Sequence, residues 1–385
     1  YIVTSIRTPG CKRNKGAFKD TRPEDLLTFI LNAAVEQTQN LEKKDVEDIM
    51  IGCSFPEAEQ GLNIGRIASQ IAGFPVEVTG ATVNRFCASG LEAIAQAAMR
   101  VMVGWSDIVI GGGLESMTYV PMGGNLPRPH PEYTKKQADL YVSMGITAEN
   151  VANRYHVPRE AQDEFAYQSQ MKAAEAKSKK LYKEIVPTPA TKYVTQKDGT
   201  YQKETFLQDF DDGIREGTTL EGLAGLNPAF AAGGSVTAGN SSQMTDGAAA
   251  SVIMSEGKVK ALGIKPIAKF KCYTTVGCRP DEMGIGPKLA IPKLMKLADM
   301  DLKDVGLFEI NEAFADQAAV LGLHVDVCPL EEARPEGTFQ LVIMNHLLEH
   351  LREPMRAIQL VKRWLSPIGR FVLETPILPD YNHID

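Results

Sequence analysis

Apolar residues recur along the chain with two alternating periods, one typical of buried strands and the other of amphipathic helices. The strand candidates are short apolar runs at residues 1–6, 48–52, 79–86 and 107–111. The helix candidates, with apolar residues three and four apart, are residues 24–37 and 88–103. Strands that alternate with helices in this way are typical of an α/β layer protein, so we predict that fold class with a mainly parallel sheet.

The alternation loosens after Pro121 and returns near residue 248. Proline and glycine clusters and a charged helical stretch at 159–180 fill the gap, which predicts an inserted loop domain. Beyond it we predict a strand at 267–272, a helix at 288–298 and a strand at 305–310. The predicted domains are an N-terminal half at 1–120 plus 240–255, the insertion at 121–239, the start of a C-terminal half at 256–320, and a segment of different composition at 321–385.

Composition narrows the class of protein without identifying it. Of 385 residues, 44% are hydrophobic and 23% charged, which excludes collagen-like, disordered and disulfide-scaffold proteins. The net charge of −7 gives no bulk attraction to nucleic acid or to an anionic membrane. The six cysteines are scattered, which favours reduced thiols and a cytoplasmic location. The spacing of Cys272 and Cys278 favours ordinary packing over a metal site.

Cys87 is the candidate nucleophile. It lies between the predicted strand 79–86 and the turn Ala-Ser-Gly (88–90) that opens the next helix. There the thiol would face unpaired backbone N–H groups and the positive end of the helix dipole, which stabilise a thiolate and predict a lowered pKa. Gly90 would leave room for a substrate carbonyl. A buried structural cysteine is the alternative.

Two further segments suggest ligand contacts. Residues 233–242 are dense in glycine and hydroxyl side chains and are followed by Asp246 and Gly247, so a ligand could lie along the backbone. A flexible surface loop would have the same composition. Residues 309–315, Glu-Ile-Asn-Glu-Ala-Phe-Ala, place an amide and carboxylates where a strand ends, which is where α/β sheets bind ligands. A helix N-cap pair explains that segment equally well.

Together these segments resemble the thiolase family, in family order and spacing, over about residues 1–320. The matching motifs are Asn-Arg-Phe-Cys-Ala-Ser-Gly-Leu (84–91), Gly-Gly-Gly-Leu-Glu-Ser-Met (111–117), Ser-Met-Gly-Ile-Thr-Ala-Glu-Asn-Val-Ala (143–152), the run 235–249 and Asn-Glu-Ala-Phe (311–314). The first and third look more like degradative 3-ketoacyl-CoA thiolases than acetoacetyl-forming ones. The resemblance implies two similar α/β halves with an insertion in the first.

The resemblance also implies an activity and roles for residues. Cys87 would attack a 3-ketoacyl-CoA, release acetyl-CoA and hold the acyl group as a thioester for transfer to free CoA. Asn311 would orient a water that stabilises the oxyanion. Met144 and Phe314 would line the substrate pocket, and Ser242 would contact the pantetheine arm. CoA and acyl-CoA would be substrates, no cofactor or metal is implied, and family members are homodimers or homotetramers.

The last part of the chain departs from the family pattern. After the Asn-Glu-Ala-Phe motif a thiolase has a histidine in a Gly-His-Pro-Leu-Gly type turn and a second cysteine in a Cys-x-Gly-Gly type turn, and neither turn occurs here. Cys328 precedes a proline, and none of the late histidines is followed by one. We therefore expect the thiolase activity to be impaired.

Residues 322–385 instead resemble a class I methyltransferase that uses S-adenosylmethionine. The likeness comprises a strand and helix start at 338–351, a helix at 354–365 and a strand at 369–376. The family's glycine-rich loop and the acidic residue after its second strand are absent, so no complete cofactor site is expected. We interpret the join at 317–322 as an assembly or gene-fusion artefact, with a true fusion as the alternative.

Two other functions remain open for the chain: a non-catalytic CoA-ester-binding protein and a methyltransferase.

Overall fold

The computed structural model describes residues 1–306, 309–310, 339–345 and 365–374. The chain divides into two compact units. The first consists of Tyr1–Glu149 and Pro158–Tyr273, and the second of Asn150–Val157 with the chain from Thr274 onward. This division cuts helix Met144–Arg154, which begins in the first unit and ends in the second.

A mixed sheet forms the centre of the first unit. The strands of this unit are β1 (Ile2–Arg7), β2 (Cys11–Lys12), β3 (Asp48–Gly52), β4 (Thr79–Val83), β5 (Ile108–Glu115), β6 (Thr188–Thr195), β7 (Tyr201–Gln208) and β8 (Thr245–Met254). The sheet has the order β1-β8-β5-β3-β4, and β2 pairs with β8. β6 and β7 form a separate antiparallel hairpin.

β3 pairs in parallel with both β4 and β5, whereas β8 runs antiparallel to both β1 and β5. In register, Ile2 faces Ile253 and Glu115 faces Gly247. β1, β3, β4 and β5 therefore all run in one direction, which confirms the expectation of a mainly parallel sheet, and β8 is the antiparallel exception in this strand order. The chain enters β8 beside the residue that ends β5, so β8 has to run in the opposite direction to β5.

The helices of the described residues are α1 (Pro23–Glu36), α2 (Ile64–Ile71), α3 (Ser89–Met102), α4 (Pro131–Lys136), α5 (Met144–Arg154), α6 (Arg159–Ser178), α7 (Leu220–Ala224), α8 (Glu256–Leu262) and α9 (Gly286–Ala298). α1 illustrates why they form where they do. Pro23 occupies the first turn with Glu24 beside it, and Leu27 and Ile30 are fully buried. None of these helices is both long and apolar enough to cross a membrane.

Both faces of the sheet are covered, because successive strand residues enter different cores. On β3, Ile49 and Ile51 join a large core that includes the buried residues of α1 and α2. Met50 joins a smaller core with Ala93 and Ala97 of α3. The predicted apolar run at 48–52 is thus confirmed as a strand buried on both sides.

Glycines let α3 lie unusually close to the sheet. A Cβ added to Gly111 of β5 would lie 2.8 Å from the Cα of Ile94. A Cβ added to Gly52, the last residue of β3, would lie 2.2 Å from the carbonyl carbon of Ser89. The first turn of α3 therefore rests directly on the end of β3, which fixes the position of the residues just before the helix.

In the second unit, the strands β9 (Phe339–Asn345) and β10 (Leu365–Glu374) pair in parallel. Arg154, the last residue of α5, forms ion pairs with Asp281 and, at 3.0 Å, with Glu282. The Nδ2 of Asn150 donates to the carbonyl of Asp281 at 2.9 Å. These contacts fix the last turns of α5 against the segment that precedes α9.

Two predicted strands are not observed. Residues 267–272 form a single bridge, from Ile2 to Ala268, instead of a ladder. The same edge of β1 is taken at its other end by residues 184–186, through hydrogen bonds of Arg7 to Glu184 and Val186. In 305–310, the described residues 305, 306, 309 and 310 lie outside strands. The predicted helix 288–298 is confirmed, beginning two residues earlier.

The substitution Gly52→Ala tests the close approach of α3 to β3. The added methyl group would overlap the backbone of Ser89. We therefore expect the free energy of unfolding to fall by about 1–3 kcal/mol. Thermal or urea unfolding measures this loss. Gly217→Ala is the matched control, because its Cβ would meet nothing within 4 Å. Equal melting temperatures for the two variants would contradict the close packing.

Candidate active site

The residues that join β4 to α3 form a turn, here called the Cys87 turn (residues 84–88). β3, β4 and β5 end at Gly52, Val83 and Glu115, and we call this side of the sheet the carboxyl edge. The turn follows Val83, so Cys87 lies at the carboxyl edge with an exposed side chain. Its neighbour Phe86 has a φ of 46°, a left-handed conformation that bulky residues rarely adopt.

Short hydrogen bonds close the Cys87 turn. The N–H of Phe86 donates to Oδ1 of Asn84 at 2.8 Å, and Oγ of Ser89 donates to the carbonyl of Phe86 at 2.6 Å. The same hydroxyl accepts the N–H of Arg85 at 2.8 Å. The Nδ2 of Asn84 donates to the carbonyl of Ser54 at 2.8 Å, which ties the turn to the chain that leaves β3.

The start of α3 is open toward solvent. Its N-cap residue, Ala88, makes no side-chain cap hydrogen bond, and a Cβ added to Gly90 would meet no atom within 4 Å. A helix start without a side-chain cap has N–H groups that can donate to a negatively charged oxygen. The space at the missing Cβ of Gly90 is open, and the use of this space by a substrate carbonyl beside Cys87 stays a prediction.

The predicted lowering of the thiol pKa is wrong. Desolvation raises the pKa of Cys87 above its ordinary value, and the Glu115 carboxylate adds to the rise. The backbone N–H of Cys87 itself lowers the pKa, but by less. Desolvation of the thiol therefore outweighs the backbone N–H in setting the direction of this pKa shift.

On the other side of the turn a carboxylate anchors Arg85. Glu92 of α3 accepts from Nε of Arg85 at 2.6 Å and from the hydroxyl of Tyr273 at 2.7 Å. The Arg85 hydrogen bond holds the pKa of Glu92 at about 2. Desolvation, together with the Glu92 carboxylate, raises the pKa of Tyr273 to about 12. The carboxylate is thus ionised and the phenol neutral throughout the physiological range.

A buried polar network runs beneath the carboxyl edge. Glu115 accepts from the N–H of Ser54 and from Nε2 of Gln60, both at 2.6 Å. Oε1 of Gln60 accepts the N–H of Ser116 at 2.8 Å, and Oγ of Ser116 contacts Asp246 at 3.3 Å. Gln60, Ser116 and Asp246 are fully buried. The network joins the ends of β3 and β5 to the start of β8, so it fixes the carboxyl edge as one surface.

The glycine-rich loop that precedes β8 is also held by buried carboxylates. Glu149 accepts the N–H groups of Ser235 and Val236, each at 2.9 Å. Asp163 of α6 accepts from Nδ2 of Asn240 at 2.9 Å. A Cβ added to Gly234 would lie 2.1 Å from Glu149, so the glycine is needed for this contact. The loop is therefore anchored, which argues against a freely flexible surface segment.

Comparison with known proteins identifies the family. The model of the thiolase N-terminal domain matches residues 1–257, and that of the thiolase C-terminal domain matches residues 264–333. The 3-ketoacyl-CoA thiolase of Bacillus subtilis (strain 168) is 46% identical over 318 residues, which are 82% of this chain and 81% of that protein. The chain belongs to the thiolase family. Thiolases are acyltransferases, so the chain is a member of an enzyme family.

Two further proteins support the same family assignment. The human peroxisomal 3-ketoacyl-CoA thiolase is 43% identical over 321 residues, covering 83% of this chain and 74% of that protein. The crystal structure of Bacillus anthracis acetyl-CoA acetyltransferase aligns with a TM-score of 0.72 and 36% identity, covering 83% of this chain and 81% of that one. The thiolase resemblance of the sequence is therefore confirmed.

Three of the five predicted site residues lie in the part of the thiolase chain that the structure describes. Cys87 is at the carboxyl edge. Ser242 is exposed and lies three residues before β8, whose start faces the end of β5 at the same edge. Met144 is half-buried and begins α5. Asn311 and Phe314 lie outside the described residues. No hydrogen bond in the described regions joins Cys87, Met144 and Ser242 to one another.

Sequence reasoning missed the residues that support the site. In the sequence, Glu115 stands out only as part of a motif and Asp246 only as a neighbour of the glycine-rich loop. Nothing in the sequence pattern singles out Gln60. Gln60 is followed by a glycine in an irregular segment, which marks it as an ordinary loop residue. Its complete burial could not be read from the pattern.

Exposure, not a lowered pKa, should make Cys87 the most alkylation-sensitive of the five cysteines that the structure describes. Cys11 and Cys53 are buried, and desolvation raises the pKa of Cys53 to about 12. Cys272 and Cys278 are half-buried. Limiting iodoacetamide at pH 8 followed by peptide mass spectrometry is expected to label Cys87 first. Earlier labelling of Cys53 or Cys272 would contradict the exposed position of the turn.

The pKa of Glu92 predicts a pH-dependent contribution to stability. A depressed pKa stabilises the fold above about pH 4.5, and the effect is lost as the pH falls toward about 2. We expect Glu92→Gln to cost about 1–2 kcal/mol at pH 7, because Arg85 is half-exposed, with the difference shrinking below pH 4.5. Urea unfolding between pH 2.5 and 7 measures it.

The control for Glu92→Gln is Glu216→Gln, which removes an exposed ion pair with Lys177. It should change stability by less than about 0.5 kcal/mol at every pH. A pH-independent difference between wild type and Glu92→Gln would show that the carboxylate is not held by Arg85.

Proposed function

We propose that this thiolase acts on 3-ketoacyl-CoA and carries the acyl group on Cys87. The observation that carries the proposal is the exposed thiol of Cys87 at a helix start with open space at Gly90. The names of the relatives, 3-ketoacyl-CoA thiolase in Bacillus subtilis and human, support the substrate class. Chain length and direction of flux are not part of the proposal.

The proposed reaction has two steps. The Cys87 thiolate forms a bond to the 3-keto carbon, the bond between carbons 2 and 3 breaks, and carbon 2 takes a proton and leaves as acetyl-CoA. The thiol of free CoA then attacks the acyl thioester, so the shortened acyl-CoA departs and the Cys87 thiol is restored. Splitting the transfer in this way is nucleophilic catalysis. Asn311 is assigned the orientation of an oxyanion-binding water, by the family resemblance.

The loop at residues 233–242 is the proposed place for the pantetheine arm, with Ser242 as a contact. Its anchoring by Glu149 and Asp163 supports this role, because a fixed backbone lowers the entropic cost of binding. Met144 and Phe314 are assigned to the wall of the acyl pocket.

We include impaired thiolase activity in the proposal, because the histidine turn and the second cysteine turn of the family are absent from this sequence. Cys87 has a raised pKa and needs a base, yet the family's histidine turn is absent from these 385 residues. The second cysteine turn is absent as well, so the CoA thiol lacks its expected proton acceptor. A non-catalytic CoA-ester-binding protein is therefore the second candidate function.

A homodimer or homotetramer is the proposed assembly. β4 is the last strand in the order of the main sheet, and unpaired edges are natural pairing sites. Large apolar side chains are exposed in the segments before and after it. These are Leu62, Ile71, Val76, Phe86, Leu91, Met102, Val103 and Trp105. A second copy of the chain would cover this surface.

The segment 322–385 is proposed to be a methyltransferase-like β-α-β piece without a cofactor site. The parallel pairing of β9 and β10 supports it, because parallel strands need a long crossover between them. Without a glycine-rich loop it gives no separate activity.

The free cysteines of the described chain support a cytoplasmic location, although several relatives carry names that include the word peroxisomal.

Thiolysis of acetoacetyl-CoA or a longer 3-ketoacyl-CoA in the presence of CoA tests the function. Loss of the histidine base alone should reduce turnover about 10²–10⁴-fold relative to an intact thiolase. Acid trapping of a radiolabelled acyl thioester is expected to label wild type but not Cys87→Ser.

The two readouts separate the candidates. Labelled thioester without turnover supports an impaired thiolase. The absence of both would overturn the acyl transfer and leave the binding protein. Turnover within tenfold of an intact thiolase would refute the impairment and indicate that His324, His346 or His350 supplies the base. Binding of labelled S-adenosylmethionine would contradict the proposed absence of that cofactor site.

A further inference from the structure

Phe86 carries a conformational cost that neighbouring residues have to offset. A non-glycine residue at positive φ costs about 1–3 kcal/mol and persists only where surrounding contacts enforce it. The side chain of Phe86 is 63% exposed, and its ring contact is with Phe55, at 5.9 Å between the ring centroids. The hydrogen bonds of its backbone groups add to this contact in holding the conformation.

Each backbone polar group of Phe86 has one partner. The carbonyl is bound by Ser89 through both its hydroxyl and its N–H, and Ser89 belongs to α3 and is buried. The N–H is bound by Oδ1 of Asn84. The peptide between Arg85 and Phe86 is held on its carbonyl side by the N–H of Ala88, at 3.1 Å, and on its N–H side by the Asn84 side chain.

Asn84 is itself tied to the sheet. Its Nδ2 binds the carbonyl of Ser54, and the N–H of Ser54 is bound by Glu115 at 2.6 Å. Glu115 is part of the buried polar network under the carboxyl edge. A chain of hydrogen bonds thus runs from the core of the sheet to the residue that precedes Cys87.

We propose that Asn84 is a positioning residue, which holds Phe86 in its left-handed conformation and so aims the Cys87 thiol into the open space above Gly90. The inference rests on the proposed role of Cys87 as the nucleophile, and it adds a residue to which no catalytic task was assigned. Without Asn84, the N–H of Phe86 loses its partner and Phe86 relaxes toward negative φ, which strains the two Ser89 hydrogen bonds that hold the peptide between Phe86 and Cys87. The N–H of Cys87, which lowers the thiol pKa, then loses its orientation toward the sulfur.

The test compares Asn84→Ala and Asn84→Ser with wild type. Pseudo-first-order rate constants for iodoacetamide alkylation of Cys87, measured from pH 6 to 10 by peptide mass spectrometry, give the apparent pKa. For Asn84→Ala we expect alkylation at pH 7 to slow about three- to tenfold, with a raised apparent pKa. Serine accepts the same N–H more weakly, so Asn84→Ser should lie between the two.

Asn63→Ala is the matched control. Asn63 also binds backbone groups on both sides, as N-cap of α2 and donor to the carbonyl of Gly80, but lies outside the Cys87 turn. It should lower the melting temperature while leaving the alkylation profile within twofold of wild type. Equal profiles for wild type and Asn84→Ala, or an equal change in Asn63→Ala, would overturn the proposal. If Asn84→Ala fails to fold, the profile of Asn84→Ser decides by the same criteria.

A second readout separates this inference from the proposed function. Thioester trapping on Cys87 reports acyl transfer, whereas alkylation reports the thiol alone. A wild type that traps no thioester contradicts the proposed function, while slower alkylation in Asn84→Ala still supports the positioning role. Normal trapping and normal alkylation in Asn84→Ala would sink the positioning role and leave the function intact.

Discussion

The close approach of α3 to the carboxyl edge is the constraint on which the site depends. Gly52 and Gly111 remove two side chains from the sheet, and the alanines of α3 remove more from the helix, so backbone meets backbone. The five residues 84–88 join Val83 to Ser89 in a turn that is closed by hydrogen bonds. Phe86 adopts a left-handed conformation in this turn, and Cys87 is the next residue.

Much of the architecture could be predicted from the sequence, because it depends on local periodicity. β3 has the predicted bounds, and α3 and α9 differ from prediction by one or two residues at their ends. The features that the sequence did not predict depend on segments that are distant in the chain. The direction of β8 is set by where the insertion returns, and residues 267–272 do not form a strand because other segments occupy the edge of β1.

The site shows the same division between local and distant causes. The position of Cys87 at a helix start is a local property and was predicted correctly. The direction of its pKa shift was not, because desolvation and the Glu115 carboxylate come from residues packed around the turn. The polar network joins residues 55 to 130 positions apart in the chain, from Gln60–Glu115 to Ser116–Asp246, and no spacing rule links such residues.

The order of strands in the main sheet has a consequence for synthesis of the chain. β8 lies between β1 and β5, so β1 has no neighbour in the sheet until residues 245–254 exist. At ribosomal rates of about 5–20 residues per second, β1 waits roughly 12–50 s for its partner. During that interval the nascent chain exposes an unpaired apolar strand and an incomplete sheet. The pairing of β1 in the main sheet is therefore among the last steps that synthesis permits in the first unit.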